Sequence, residues 1–325
     1  MRFCSVLARI LTIGVLSVFS GALGAQQVYP DKPIRFITPY PPGGSTTFLS
    51  RLVGIKLTEA WGQQVIVDNR GGGNTIIGVQ ELLNSPPDGY TIFLAGSAQT
   101  GLPHLYRELP FDVLKDLAPV ATIAISPQLL TINTSIPAND LKEFIAYAKA
   151  KSGTLNFATS STGGPTHLAA VQFEMLTGAK LQHVPYKGAG PAMVDLIGGR
   201  VQLFFSVPVN VLTNIKAGRL RGLAITGKHR MEALPEVPTF AEAGLPGLDI
   251  ETWYGIAAPA GTPKNIIDKL SVEVRKILAI PDIKEKLESQ GMVPFVSTSE
   301  QMATMMREEM AKQGTLIKAG HIVIN

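Results

Sequence analysis

Cysteine occurs once in 325 residues, as Cys4. A lone thiol forms no internal disulfide and no cysteine metal site. Its place upstream of an apolar run also excludes a lipid-attachment role. Charge is scarce too: Asp, Glu, Lys and Arg make up 17% of the chain, against a usual ~25%. No block of five or six basic residues exists, so the phosphate-neutralising footprint of a nucleic-acid partner is missing. The five histidines (His104, His167, His183, His229 and His321) never fall at metal-ligand spacing. There is no H-E-x-x-H, Walker A loop or G-x-S-x-G elbow, and neither Gly71-Gly72-Gly73 nor Gly188-Ala189-Gly190 continues as a dinucleotide fingerprint. No residue qualifies as catalytic, and neither metal nor cofactor is expected.

Long apolar runs are confined to the start. Arg2 and Arg9 carry half of the formal net charge of +4. The apolar run Ile10 to Phe19 follows, too short for the ~20 residues of a membrane span. Small residues come next, at Ser20, Gly21, Ala22, Gly24 and Ala25. Residues 1–25 therefore read as a secretory signal cut near Ala25, which also removes Cys4. The mature protein is expected to be exported, soluble and free of cysteine.

What remains is about 300 residues, enough for two domains and a core that needs no staples. Hydrophobic residues make up 45%, in the globular range. With 32 glycines and 23 prolines the chain is loop-rich, yet short of the ~25–30% that marks low complexity. Short β-rich runs alternate with amphipathic stretches from Lys32 onward, which predicts an α/β fold. Strands are expected at Ile34 to Thr38, Gln64 to Val67 and Tyr90 to Leu94. A single crossing strand is expected over Val120 to Ile132.

One pattern is duplicated. A strand, the loop Pro41 to Thr47 (PPGGSTT) and a helix come early; a strand, the loop Ser160 to Thr166 (SSTGGPT) and a helix come in the middle. Glycine lets backbone approach a ligand closely, and a helix start leaves N–H groups unpaired. Either loop alone reads as ordinary N-capping. Two of them, one in each half, are what a cleft-closing anion binder needs, with the helix dipole assisting.

Further along, Tyr29-Pro30-Asp31-Lys32-Pro33-Ile34, Pro39-Tyr40-Pro41-Pro42-Gly43-Gly44-Ser45, Val67-Asp68-Asn69-Arg70 and Pro87-Asp88-Gly89-Tyr90-Thr91 recur in order with His183-Val184-Pro185-Tyr186-Lys187-Gly188. They continue with Gly218-Arg219-Leu220-Arg221-Gly222, Leu234-Pro235-Glu236-Val237-Pro238-Thr239 and Trp253-Tyr254-Gly255, then Pro259-Ala260-Gly261-Thr262-Pro263. In this series the chain resembles the periplasmic solute receptors of the tripartite tricarboxylate transporter system, the Bug family. The resemblance implies a two-lobed Venus-flytrap architecture with a helix-flanked sheet in each lobe and the ligand between them. It places residues 26–123 plus 231–325 in lobe 1 and residues 124–230 in lobe 2. It further implies a small organic carboxylate as ligand, membrane transporter subunits as partners, a periplasmic location and a monomer. Two departures stand out: Thr47 and Ser206 occupy positions where the family usually has acids, which would make the cleft less acidic.

The expected ligand contacts are Tyr40, Gly43, Gly44, Ser45, Thr46 and Thr47 from the first loop. From the second come Ser160, Ser161, Thr162, Gly163 and Thr166, with Ser206 nearby. Ser97, Ala98 and Gln99 follow a strand at its carboxyl end, where α/β sites form. The expected ligand is a C4 to C6 dicarboxylate or an aromatic monocarboxylate. Two alternatives accompany this reading: a sensory receptor for the same ligand, and a secreted hydrolase using Ser45 or Ser161 with His167. The hinge is expected near Val120 to Ile125 and Ala224 to Arg230.

Overall fold

The computed structural model describes residues 29–324; the expected signal sequence lies outside them. The fold proper begins at Lys32. Among the described residues eleven strands form two sheets: β1 (Ile34–Thr38), β2 (Val65–Asn69), β3 (Thr91–Gly96), β4 (Leu117–Pro127), β5 (Leu129–Asn133), β6 (Asn156–Thr159), β7 (Gln182–Pro185), β8 (Leu203–Ser206), β9 (Leu220–Ile225), β10 (Glu251–Pro259) and β11 (Val293–Pro294). The helices are α1 (Ser45–Trp61), α2 (Ile76–Leu83), α3 (Ser97–Leu105), α4 (Leu141–Ala150) and α5 (Pro165–Thr177). They continue with α6 (Ala189–Ile197), α7 (Pro208–Lys216), α8 (Lys264–Leu278), α9 (Pro281–Glu288) and α10 (Ser299–Ala319).

The six-stranded sheet has the order β11-β4-β10-β3-β1-β2, and the five-stranded sheet β7-β6-β8-β5-β9. Each contains a parallel triplet with the earliest strand in the middle: β2-β1-β3 and β7-β6-β8. Antiparallel strands extend one side of each triplet. β1 aligns Ile34 with Val65 and Phe36 with Ile92. β3, flanked on both sides, is buried along its whole length, as an interior strand should be. The repeated loop pattern in the sequence is therefore a repeated topology, since β1 and β6 hold the same central place in their triplets.

Phe144, Phe157, Phe173 and Phe205 fill the core beside the five-stranded sheet, joined by Phe240, Leu248 and Ile250 and by Ile317 and Ile322 from the chain's end. Ile37, Phe93, Trp253, Met302 and Met306 pack beside the six-stranded sheet. α10 thus touches both cores.

The expected single strand over Val120 to Ile132 is two strands, β4 in one sheet and β5 in the other, parted at Gln128. Gln128 N–H donates to Thr226 Oγ1 at 2.8 Å, and Thr226 N–H returns to Gln128 O at 2.8 Å. The same Thr226 hydroxyl donates to Ile250 O at 2.8 Å. Helix α3 was not expected: Gly101 and Pro103 argue against a helix, and tertiary contacts override them. Leu102 and Leu105 are buried, and Gln313 of α10 donates to Ser97 O at 2.9 Å.

Candidate functional site

The loop after β1 brings Gly44 in as the extended N-cap of α1. Asn69 at the end of β2 braces this loop, donating to Tyr40 O at 2.8 Å and Thr47 Oγ1 at 2.9 Å. Tyr254 of β10 donates its hydroxyl to Ser45 Oγ at 2.9 Å. The loop after β6 is braced from within. Thr166 Oγ1 accepts from Ser160 N–H at 3.1 Å, and His167 Nδ1 accepts from Gly163 N–H at 3.0 Å. His167 stacks on His183 with ring centroids 4.0 Å apart. Burial, and then the neighbouring imidazole, push His167 down to about 3. Burial alone pushes His183 down to about 4. Both rings are neutral at neutral pH, as the Nδ1 acceptor role of His167 requires.

Between the loops lies a cleft with a cavity of about 60 Å³. The first turns of five helices line it: Ser45 and Thr46 of α1, Ser97 to Gln99 of α3, Thr166 of α5, Ala189 of α6 and Asn210 of α7. None of these five helices has an acidic residue in its first turn or a hydrogen bond from its N-cap side chain, and four begin on a glycine. Elsewhere α4 and α10 are capped by Asp140 and Thr298, and α4, α9 and α10 carry acids in their first turns, while α2 and α8 have neither. The positive ends of five dipoles thus face one cavity with no carboxylate to offset them. No charged side chain is among the described residues that line it.

Two buried polar groups at this cavity have no hydrogen-bond partner: Gln99 Nε2 and Ser161 Oγ. Gln99 spends its Oε1 on Gly96 N–H at 2.8 Å, which turns its amide nitrogen to other use. Tyr40 lies near Ser161 but outside hydrogen-bond geometry. Burial pushes the Tyr40 phenol up to about 12, and the Ser161 hydroxyl offsets part of that rise. Burial likewise raises the Tyr254 phenol. The site is a set of neutral donors.

Of the residues expected at the site, Tyr40, Gly44, Ser45, Thr46, Ser97, Ala98, Gln99, Ser160, Ser161 and Thr166 line the cleft. Gly43, Thr47, Thr162, Gly163 and Ser206 do not. Gly43 and Thr47 border a shallow outer groove beside Phe48 and Arg51. Thr47 Oγ1 accepts from Asn69, and Thr47 is not among the residues that line the cleft. Thr162 and Gly163 direct backbone groups to Asn74 and His167. Ser206 Oγ accepts from Asn210 Nδ2 at 2.9 Å and acts through it. Sequence reasoning missed Asn210, Thr252 and Tyr254. A signal for Asn210 was present, because β8 leads into α7 as β3 leads into α3.

Two helix-flanked sheets with a cleft at the ends of their parallel strands define the two-lobed periplasmic-binding-protein architecture. The chain belongs to the tripartite tricarboxylate transporter family receptors, whose pattern residues 49–322 match. It is 34% identical to protein BugT of Bordetella pertussis, over 94% of this chain and 96% of that one. A structure of R. palustris Rpa4515 with adipate is 31% identical and superposes with a TM-score of 0.88, covering 91% of this chain and all of the other. MatC of Rhodopseudomonas palustris with bound malate is 27% identical, with a TM-score of 0.83, over 89% of this chain and 100% of the other. The family is one of periplasmic solute receptors and not of enzymes. The hydrolase alternative fails on family and on geometry, since His167 Nδ1 already accepts the Gly163 N–H.

Proposed function

We propose that this receptor binds a C4 to C6 dicarboxylate in the cleft and delivers it to the membrane subunits of a tripartite tricarboxylate-type transporter. The observation that carries the reading is the convergence of five acid-free helix starts on a cavity that also holds two unpartnered groups, Gln99 Nε2 and Ser161 Oγ. Such a wall neutralises an anion with oriented dipoles instead of a fixed cation. The α1 and α3 side takes one carboxylate through Ser45, Thr46 and Gln99. The α5 side takes the other through Ser160, Ser161 and Thr166. Adipate in one relative and malate in another support this ligand class. Charge-assisted hydrogen bonds are worth roughly 1.5–3 kcal/mol each, and a few of them, less ordering costs, are compatible with micromolar affinity near 8 kcal/mol.

The reading includes export to the periplasm after cleavage near Ala25; no helix among the described residues is long and apolar enough to cross a membrane. In this proposal the chain changes lobe at Gln128 and after Ile250, rather than at 123/124 and 230/231. Leu234 and Val237 pack with β5 and β9 residues, and Phe240, Leu248 and Ile250 join the five-stranded core. A ligand touching both lobes favours the closed arrangement by its differential affinity. A thermal-shift screen of organic acids, amino acids and sugars on protein starting at Gln26, followed by small-angle scattering, tests this. A dicarboxylate that raises the melting temperature and shrinks the radius of gyration supports the reading. Hits confined to sugars or cations, or turnover of the ligand, overturn it.

A further inference from the structure

We infer that Asn74 and Asn210 are reciprocal closing latches, each carried on one side of the cleft and engaging the glycine-loop backbone of the other; the inference rests on the receptor reading above. Asn210 of α7 accepts the Ser45 N–H, the first amide of α1, through Oδ1 at 3.0 Å. Its Nδ2 donates to Ser206 Oγ at 2.9 Å, which fixes the oxygen toward Ser45. In the other direction Asn74 Nδ2, from the segment between β2 and α2, donates to Thr162 O of the second loop at 2.9 Å. Asn74 sits at φ 54°, ψ 43°, a left-handed conformation that asparagine tolerates better than most residues. Both bonds join segments far apart in the chain, and neither survives if the two loops separate.

The two latches have opposite polarity, since Asn210 accepts and Asn74 donates. Both end on the loops that line the cleft, so each forms only while its target loop holds the conformation seen here. Their free energy counts toward the closed arrangement alone, which is the condition for shifting that equilibrium. A net hydrogen bond of ordinary strength corresponds to about a two- to tenfold effect. Because both groups are neutral amides, closure needs no ion pair beside an anionic ligand.

The test uses the full chain with Cys4→Ser, leaving no native thiol, and one spin label on each side at the exposed positions Ile55→Cys and Val194→Cys. Inter-label distances are measured with and without adipate, alongside adipate affinity by calorimetry. Asn74→Gly preserves the left-handed backbone, and Asn210→Ala removes only the amide. Each is expected to lower the closed fraction, and adipate affinity, by about two- to tenfold. The aspartates separate a latch from general packing. Asn210→Asp keeps an acceptor for Ser45 N–H and retains closure without ligand, whereas Asn74→Asp sets a carboxylate against the Thr162 carbonyl and loses it. Equal closure and affinity in the Gly and Ala variants, or like behaviour of the two aspartates, overturns the inference. If adipate and other acids leave the wild-type distances unchanged, the receptor reading fails, and the ligand-free distances of the two aspartates still decide the latches.

Discussion

The loop that opens α1 is held by amides and a phenol, from Asn69, Asn210 and Tyr254, whereas the loop that opens α5 is held by Thr166 and an imidazole stacked on a second imidazole. They occupy equivalent places in their sheets and end in similar glycine-led helix starts. What differs is how each is kept in shape. The first depends on groups that hold their protonation state across the physiological range. The second depends on His167 staying neutral, because a protonated ring has no lone pair for Gly163 N–H. Equal topology therefore does not imply equal sensitivity to the medium.

The largest effect should come from filling both loops at once. Thr46→Leu with Ser161→Leu removes a hydroxyl from each side and is expected to weaken dicarboxylate binding by about a hundredfold or more, read by calorimetry. Urea unfolding should stay close to wild type, because both positions border the cavity. Retained affinity would take the loops out of the account.

Next in size is the pH response of the second loop. In the unfolded chain a histidine takes up its proton near pH 6.5, while folded His167 does so only at about 3. The unfolded state then binds more protons across that window, so stability falls as pH falls below about 6.5. His167 alone contributes a slope of up to about 1.4 kcal/mol per pH unit. Urea midpoints between pH 7.5 and 4.5 should show a shallower slope in His167→Gln, and an unchanged slope in Asn69→Ala, which loosens only the first loop.

A smaller effect separates dipole from shape. Ala189→Asp puts a carboxylate in the first turn of α6, where it favours the helix but repels an anion in the cleft. Dicarboxylate affinity should drop about tenfold while the melting temperature holds or rises. The smallest change is expected at Thr47→Asp. Asp can still accept from Asn69 and lies off the cavity wall, so affinity should remain within about threefold. A large loss there would mean that position 47 is felt by the ligand after all.

Much of this was legible in residue order. The strand–glycine–helix pattern at Pro41 to Thr47 and at Ser160 to Thr166 marks both loops, and β-rich runs mark most of the parallel strands. Helix α3 was not legible, since Gly101 and Pro103 outweigh its two buried leucines until Gln313, more than 200 residues on, is seen bonding its first turn. Tyr254 reaches the cleft by a tertiary route that no local spacing encodes. The split at Gln128 did leave a local mark: Ser126-Pro127-Gln128 interrupts the apolar run Val120 to Ile132 where the chain changes sheet, and the β-branched residues on either side mask it.

That split carries a mechanical consequence. Two segments, at Gln128 and after Ile250, pass from one sheet to the other beside a single hydroxyl, Thr226 Oγ1, which both accepts from Gln128 N–H and donates to Ile250 O. Gln128 also reaches from this point to Thr252 Oγ1, at 2.7 Å, on the cleft wall. One oxygen thus works as a pin that holds the two crossing rods in register. Valine, of nearly the same shape, would keep the packing and withdraw the pin. The rods would still cross, but that oxygen would no longer set their register.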